Sequence, residues 1–239
     1  MRMNKAKISS ILLAVLLISM SSILTTSVSG QNETVSINFK AHALGHCFVD
    51  YGLWGSGSGG GSPWVADWYG IGRGEATFGG FAEAIPTEDP QFEDAYSSVG
   101  LKARGTVSFS WVEEDGSIHQ IVAHLYSNES TNGLFVPKED YFLSYPLRFK
   151  GIYRVNSMVQ KISGEFAWFI SIPISPENSP SLRAVRVISI VLLDEATQKG
   201  YSAIWSQKET EIMDLQAGIS RTLLPAARIL RTKVKIMKP

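Results

Sequence analysis

The feature that most constrains the fold is a two-residue alternation of apolar and other side chains that recurs along the chain. It begins at Val35 to Ala41, "VSINFKA", where every second residue is apolar. The same pattern returns at Val107 to Trp111 and at Phe166 to Ile172. Because successive side chains of a strand point to opposite faces, these segments predict strands with one face in a core. The more continuously apolar run over 183–193, "RAVRVISIVLL", predicts a strand that is buried on both faces for part of its length.

The turns between these segments favour antiparallel pairing. Asp-Gly within Glu113 to Ser117 predicts a hairpin, since glycine tolerates the positive φ of a tight turn. Asp194 to Gly200 predicts a second connection between strands. Weaker strand candidates are Gly74 to Ala84, Leu134 to Val136 and Phe149 to Asn156. No strand alternates with a long helical pattern, so we expect an all-β, mainly antiparallel fold: a closed or partly open β-barrel of about 8–10 strands, with a sandwich as the alternative.

The C-terminal segment, residues 220–239, carries six basic residues and no acid. Just before and within it, apolar residues fall at helical spacing and predict a short helix that ends before Pro225; they are Ile212, Leu215, Ile219 and Leu223. The following "LRTKVKIM", Leu230 to Met237, alternates and predicts an edge strand. Its lysines would discourage pairing with other chains. The alternative is a weak contact of this basic segment with a membrane or another anionic surface.

Residues 1–30 have the layout of a secretory signal. Arg2, Lys5 and Lys7 precede an apolar run from Ile8 to Leu24, and small residues follow. The sequence therefore predicts a secreted or cell-surface protein cleaved near residue 30, followed by a single β domain over residues 31–239. An uncleaved N-terminal membrane anchor is the alternative, because the 17-residue run is only slightly shorter than a membrane span of about 20 residues. Asn32 and Asn128 fit the glycosylation acceptor pattern.

Charge and cysteine content exclude some classes of protein. Residues 31–219 contain 13 basic and 22 acidic residues, a net charge of −9, which disfavours general binding of nucleic acid. Cys47 is the single cysteine, so no intrachain disulfide can form, and we expect a buried thiol.

Glycine, serine and tryptophan are concentrated in Gly52 to Gly74, "GLWGSGSGGGSPWVADWYGIGRG", which predicts a mobile loop. Eleven of the 21 glycines lie between Gly52 and Gly80. A phosphate-binding loop is excluded on chemistry, because no Lys or Arg lies between Ala41 and Gly72 and no helix start follows the glycines. A plain linker does not account for the tryptophans.

Aromatic rings with nearby carboxylates suit a carbohydrate or a small amphiphilic ligand. The candidate ligand-binding residues are Trp54, Trp64, Trp68, Tyr51, Tyr69, Asp50 and Asp67. The alternative is that the rings close over the core. We expect Trp68 to be buried and Trp54 or Trp64 to meet a ligand.

Metal binding has weaker support. His42 and His46 lie four residues apart, which on a strand places them on one face, but no clear third ligand accompanies them. His119 and His124 are five apart and should face opposite ways. We expect neither a metal nor another cofactor. The carboxylates of Glu88, Asp89, Glu93 and Asp94 lie among prolines and predict a solvated loop.

Three functional hypotheses remain from the sequence. The first is an exported, non-catalytic binding or envelope-associated domain with the aromatic and glycine-rich loop at its mouth. The second is a secreted enzyme acting on carbohydrate or a small apolar substrate, using Asp50, Asp67 or one of the His42/His46 pair. The third is a structural surface protein that assembles through its edge strands. No motif is specific enough to indicate a family.

Overall fold

The computed structural model describes residues 34–54, 64–88, 94–174, 185–213 and 221–237. These residues form twelve β-strands and one 3-10 turn. The strands are β1 Val35–Trp54, β2 Trp64–Thr87, β3 Ala95–Val112, β4 Ile118–Tyr126, β5 Asn132–Val136, β6 Tyr141–Val155, β7 Met158–Ile174, β8 Val185–Asp194, β9 Lys199–Ser206, β10 Thr210–Met213, β11 Arg221–Leu224 and β12 Arg228–Met237, with the 3-10 turn at Pro137–Glu139. The predicted signal, residues 1–30, lies outside the described residues, as does Asn32. Among the described residues, no helix is long and apolar enough to cross a membrane.

The strands close into a ring. Strands β1, β2, β3, β4, β6, β7, β8 and β9 pair in that order, and β9 pairs back onto the second half of β1. The first half of β1 pairs instead with β12, while β5 bridges β3 and β6. Every pairing is antiparallel, so the predicted all-β antiparallel class is confirmed. A ten-stranded sheet with a closed ring is consistent with both the barrel and the sandwich.

The interior of the ring is filled by the alternating apolar residues. Along β1, Ile37, Phe39 and Ala41 are buried, while Asn38 and Lys40 between them are exposed. Five phenylalanines pack together inside, with ring centroids as close as 4.8 Å for Phe39 and Phe142; they are Phe39, Phe78, Phe135, Phe142 and Phe169. The predicted buried thiol of Cys47 is confirmed, and desolvation raises the pKa of that thiol.

A second apolar cluster lies on the other face of β7, and it corrects one reading of the sequence. Of the alternating residues in Phe166 to Ile172, Trp168 and Ile170 are buried in this second cluster, with Phe166 and Ile172 packed against it. The ring interior receives Ala167 and Phe169 instead. Both faces of β7 are therefore covered here, which a two-residue alternation alone does not reveal.

Both ends of the predicted loop at Gly52 to Gly74 are strand in the structure. β1 extends to Trp54 and β2 starts at Trp64, so only residues 55–63 lie outside the description. Gly72 allows close approach of two strands, since an added Cβ would lie 2.5 Å from the backbone oxygen of Ser110. Part of the glycine content is thus explained by backbone packing in β2.

The predicted C-terminal helix is wrong in the part of it that the structure describes. Thr210–Met213 and Arg221–Leu224 pair as two antiparallel strands, with Ile212 opposite Thr222. Apolar residues spaced three and four apart are typical of a helix, but two short antiparallel strands can carry the same spacing. The edge strand is confirmed: among the described residues, β12 pairs with β1 alone, and Val234 is the buried residue of β12.

The predicted hairpin and connection are also confirmed. Glu113 to Ser117 links β3 to β4 with Gly116 at φ 84°, and Asp115 accepts a 2.8 Å hydrogen bond from the Ser117 amide. Residues 195–198 link β8 to β9. His119 is buried and His124 is exposed, as their spacing predicts.

Candidate functional site: an aromatic cluster at one end of the ring

Six ring side chains meet at the end of the ring where β1 ends and β2 begins. Strand register brings them together: Tyr51 pairs with Trp68 on one side and with Tyr201 on the other, and Trp111 pairs with His119. We call this set, with the adjoining carboxylate, the aromatic cluster; it consists of Tyr51, Trp68, Trp111, Glu113, His119, Tyr153 and Tyr201.

The indole of Trp111 lies at the centre of the aromatic cluster and is only 2% exposed. It stacks on the His119 ring at 5.0 Å and on the Trp68 indole at 5.8 Å, and it lies 5.2 Å from the Tyr51 ring. Tyr153 stacks on it at 6.2 Å. Offset ring pairs at such distances stabilise each other beyond simple burial. The cluster is therefore a packed, pre-organised surface of rings.

Trp68 is the more exposed of the two tryptophans in the aromatic cluster. It is partly buried against the core, whereas Trp111 is fully buried. Gly70, two residues along β2 on the same face, makes room for it, because a Cβ there would lie 2.7 Å from the indole. The expectation that Trp68 is buried is met only in part.

Glu113 connects three of the rings by polar contacts. Tyr51 donates a 2.6 Å hydrogen bond from its hydroxyl to Glu113 Oε1. His119 Nε2 lies 3.0 Å from the same oxygen, although this contact does not satisfy hydrogen-bond geometry. His119 Nδ1 and the Tyr153 hydroxyl are 2.7 Å apart and form a hydrogen bond. Glu113, His119 and Tyr153 thus form a continuous polar chain inside the cluster.

The tyrosines of the cluster are held in their neutral form. Desolvation, reinforced by the negative charge of Glu113, raises the pKa of Tyr153 to about 12. Burial also raises the pKa of Tyr51, and the hydrogen bond to Glu113 adds to the effect. Desolvation raises the pKa of Tyr201 as well. All three hydroxyls therefore remain hydrogen-bond donors at neutral pH.

Besides His119 Nε2, two buried polar atoms of the aromatic cluster have no hydrogen-bond partner among the described residues: Trp111 Nε1 and the Tyr201 hydroxyl. Buried polar atoms are satisfied in the great majority of proteins, so such atoms call for a partner. Both belong to the interior wall of the same end of the ring. A polar ligand group that reached them would gain two hydrogen bonds.

The rim of the cluster is charged. Lys199 at the start of β9 lies 3.4 Å from Asp67 Oδ2, and its ammonium group is 5.6 Å from the centre of the Tyr51 ring. Asp67 and Lys199 remain 42% and 36% exposed. The rim thus offers one acceptor and one donor beside an aromatic face.

The other candidate ligand-binding residues are dispersed. Tyr69 is partly exposed on the outer face, where its ring lies 6.3 Å from Phe48. Asp50 is partly buried, and as the neighbour of Tyr51 on β1 it points to the opposite face of the sheet. Trp54 and Trp64 are paired with each other at the end of the hairpin, and their side chains lie outside the description. Of the seven candidates, the structure brings Tyr51, Trp68 and Asp67 into one place.

The candidate metal ligands have other surroundings. His42 Nε2 lies 2.7 Å from Glu75 Oε1 on the outer face, while His46 pairs with Arg73 in the strand register. Within the described ranges, no three His, Cys, Asp or Glu side chains are grouped so that they could hold a metal ion. Of the predicted acidic loop, Glu88 and Asp94 are exposed, and residues 89–93 lie outside the description.

The sequence did not indicate five of the seven residues of the aromatic cluster, nor Lys199 at its rim; the five are Trp111, Glu113, His119, Tyr153 and Tyr201. A usable signal exists for three of them. Trp111 and His119 flank the predicted Asp-Gly hairpin, and Tyr201 follows the turn after β8. Inward-facing rings next to turns must lie at an end of a closed sheet, where a ligand could enter.

Comparisons with known proteins add nothing to this geometry, because no family model, no curated protein and no solved structure matches the chain.

Proposed function

We propose that the protein is an exported, non-catalytic binding module whose aromatic cluster takes a carbohydrate or a small amphiphilic ligand. The observation that carries this proposal is the position of Trp68, a partly exposed indole stacked on the buried Trp111. The face of a sugar ring or the apolar part of an amphiphile would pack on Trp68. The polar part of the ligand would contact Asp67 and Lys199 at the rim.

The rigidity of the cluster supports a binding role. Trp68 rests on rings that are themselves fixed by the Tyr51–Glu113 and His119–Tyr153 hydrogen bonds. A ligand therefore meets a surface already in its bound arrangement, which reduces the entropy lost on binding.

The test is a titration of intrinsic tryptophan fluorescence with neutral oligosaccharides and with short-chain detergents below their micelle concentration. Trp68→Phe should weaken binding several-fold, since a smaller ring loses part of the stacking contact. Trp168→Phe is the matched control, because Trp168 lies in the second apolar cluster and should leave the affinity unchanged. Equal loss in both variants, or no binding by the wild-type protein to either ligand class, would contradict the proposal.

The polar chain of Glu113, His119 and Tyr153 favours a second candidate, a secreted enzyme acting on carbohydrate or a small apolar substrate. A carboxylate beside an imidazole that is hydrogen-bonded to a phenol could move a proton. This replaces Asp50 and the His42/His46 pair as candidate groups, since those residues lie away from the aromatic cluster, and Asp67 lies at its rim in an ion pair with Lys199. Product release from an oligosaccharide by the wild-type protein, abolished in Glu113→Gln, would establish the enzyme in place of the binding module.

A structural role has weaker support. The ring interior is filled with side chains, as a structural protein requires, but the edge strand β12 exposes Arg231, Lys233 and Lys235. Two such strands would bring like charges together and oppose self-pairing. Sedimentation velocity over a range of concentrations tests this reasoning, and concentration-dependent assembly of the protein would favour the structural role.

A further inference from the structure

Six exposed basic side chains lie side by side on the outer face of the sheet, away from the aromatic cluster. We call them the basic band; they are Lys40 of β1, Lys102 and Arg104 of β3, and Arg231, Lys233 and Lys235 of β12. The sequence places three of them in the basic C-terminal segment, but the other three come from distant parts of an otherwise acidic chain.

Strand register arranges most of the basic band in two parallel rows across four strands. In the first row Lys233 pairs with Lys40, Lys40 with Gly79, and Gly79 with Arg104. Neighbouring strands are about 4.8 Å apart, so cations of this row repeat at about 5 and about 10 Å.

The second row lies beside the first. Lys235 pairs with Asn38, Asn38 with Phe81, and Phe81 with Lys102. The Phe81 ring is 45% exposed, and the ammonium group of Lys102 lies 5.7 Å from its centre. This row therefore combines two cations, an amide and an exposed aromatic face.

The cations of the basic band are not paired with acids among the described residues. Among the described residues, no carboxylate forms an ion pair with any of its six side chains, whereas Lys138, Arg148 and Lys199 elsewhere each contact an acid. Lys40 and Lys233 stand directly opposite each other, and like charges in that position destabilise a sheet. The cost of this arrangement is offset when an anion binds between them.

The outer face carries two grooves, which fit an extended polymer better than a flat membrane surface. A groove of about 580 Å³ is lined by Lys40, Asn38 and the three basic residues of β12. A larger groove of about 1400 Å³ is lined by Phe81, Lys102, Arg104 and Gly79, and also by the acids Glu83 and Glu129. Gly79 has no side chain and is the register partner of Lys40, so the row is open where the two grooves approach each other.

From these observations we infer that the basic band is a second binding surface, for a linear anionic polysaccharide. Carboxylate or sulfate groups along such a polymer would contact the cations of the two rows, and a sugar ring would stack on Phe81. The grooves favour an extended polymer over a flat bilayer surface, and the net charge of −9 over residues 31–219 disfavours nucleic acid. This surface shares no residue with the aromatic cluster, so either proposal can fail without the other.

The test measures binding of the protein to polygalacturonate by isothermal titration calorimetry at several salt concentrations. The double variant Lys40→Gln/Lys233→Gln should weaken binding by about five- to tenfold, because two exposed charge contacts are lost. The dependence of affinity on salt should also become less steep, since fewer counterions are released. The matched control is Arg154→Gln/Lys161→Gln, which removes the same charge from exposed positions of β6 and β7 outside the band.

The inference is supported if the band variant loses affinity, the control variant stays within about twofold of wild type, and fully methyl-esterified polygalacturonate does not bind. Equal loss in both double variants would show attraction by net charge alone and would overturn it. Binding to vesicles of equimolar phosphatidylglycerol and phosphatidylcholine, without binding to polygalacturonate, would assign the surface to membranes instead. No binding to either probe would also overturn the inference.

Discussion

Truncation of Trp111 should mainly lower the stability of the protein, whereas truncation of Trp68 should mainly weaken ligand binding. Trp111 is 2% exposed and contacts the rings of Tyr51, Trp68 and His119. Trp111→Ala removes a fully buried indole and leaves a cavity, so the free energy of unfolding should fall by about 3–5 kcal/mol. For a domain of this size that corresponds to a melting temperature lower by about 10 °C or more.

Trp68→Ala removes a ring that is only partly buried, so a smaller share of its area is returned to water. We expect the free energy of unfolding to fall by about 1–2 kcal/mol, or about 3–6 °C in melting temperature. Binding should be lost almost entirely, because Trp68 supplies the exposed face of the cluster.

Thermal melts followed by near-ultraviolet circular dichroism measure the loss of stability in both variants, since the stacked rings dominate that signal. Far-ultraviolet spectra of the two variants serve as the control that the sheet is retained. Equal losses of stability would refute the assignment of Trp111 to the interior and Trp68 to the surface. So would retention of wild-type binding by Trp68→Ala.

Three further predictions concern the ring, its tyrosines and the N-terminus. Gly72→Ala should lower the free energy of unfolding by about 1–3 kcal/mol in chemical denaturation, because its Cβ would lie 2.5 Å from a backbone oxygen. Gly100→Ala should be neutral or slightly stabilising, because the nearest atom to its Cβ would be 3.8 Å away. Equal effects of the two substitutions would contradict the strand register. The pKa of Tyr153 is raised from about 10 to about 12, so its contribution to stability is present below pH 10 and is lost between about pH 10 and 12. The unfolding midpoint should fall as the pH rises through that window, and it should fall less steeply in Tyr153→Phe. N-terminal sequencing of the exported protein should begin near Gln31, and an intact Met1 in a membrane fraction would indicate an anchor instead.

The strands could be predicted because their signal is local. Core-facing side chains recur at every second position of a strand. The Asp-Gly pair within Glu113 to Ser117 predicts a tight turn from the turn residues alone. The opposite faces of His119 and His124 follow from the same periodicity. A closed or partly open barrel was among the predictions, but the pairing of β9 with β1 that closes the ring could not be predicted, because periodicity does not identify a strand's partner.

The same limit explains the missed site. Glu113 stands beside a turn with two other acids, where a solvated carboxylate is the ordinary expectation, and only the register turns it towards Tyr51 and His119. The helix predicted near the C-terminus is wrong because four apolar positions cannot distinguish one helical face from two short strands. The partial burial of Trp68 could be predicted because this residue lies nearest the strand that follows the glycines.

The central claim, that ligands bind at the aromatic cluster, is tested most directly by fluorine NMR of protein labelled with 5-fluorotryptophan. Each resonance can be assigned by a single Trp→Phe variant. Titration with the oligosaccharide or detergent found by fluorescence should shift the resonances of Trp68 and Trp111 and leave those of Trp168 and Trp205 in place, because the last two are buried at other parts of the sheet. Shifts confined to Trp168 and Trp205, with Trp68 and Trp111 unchanged at saturation, would contradict the account.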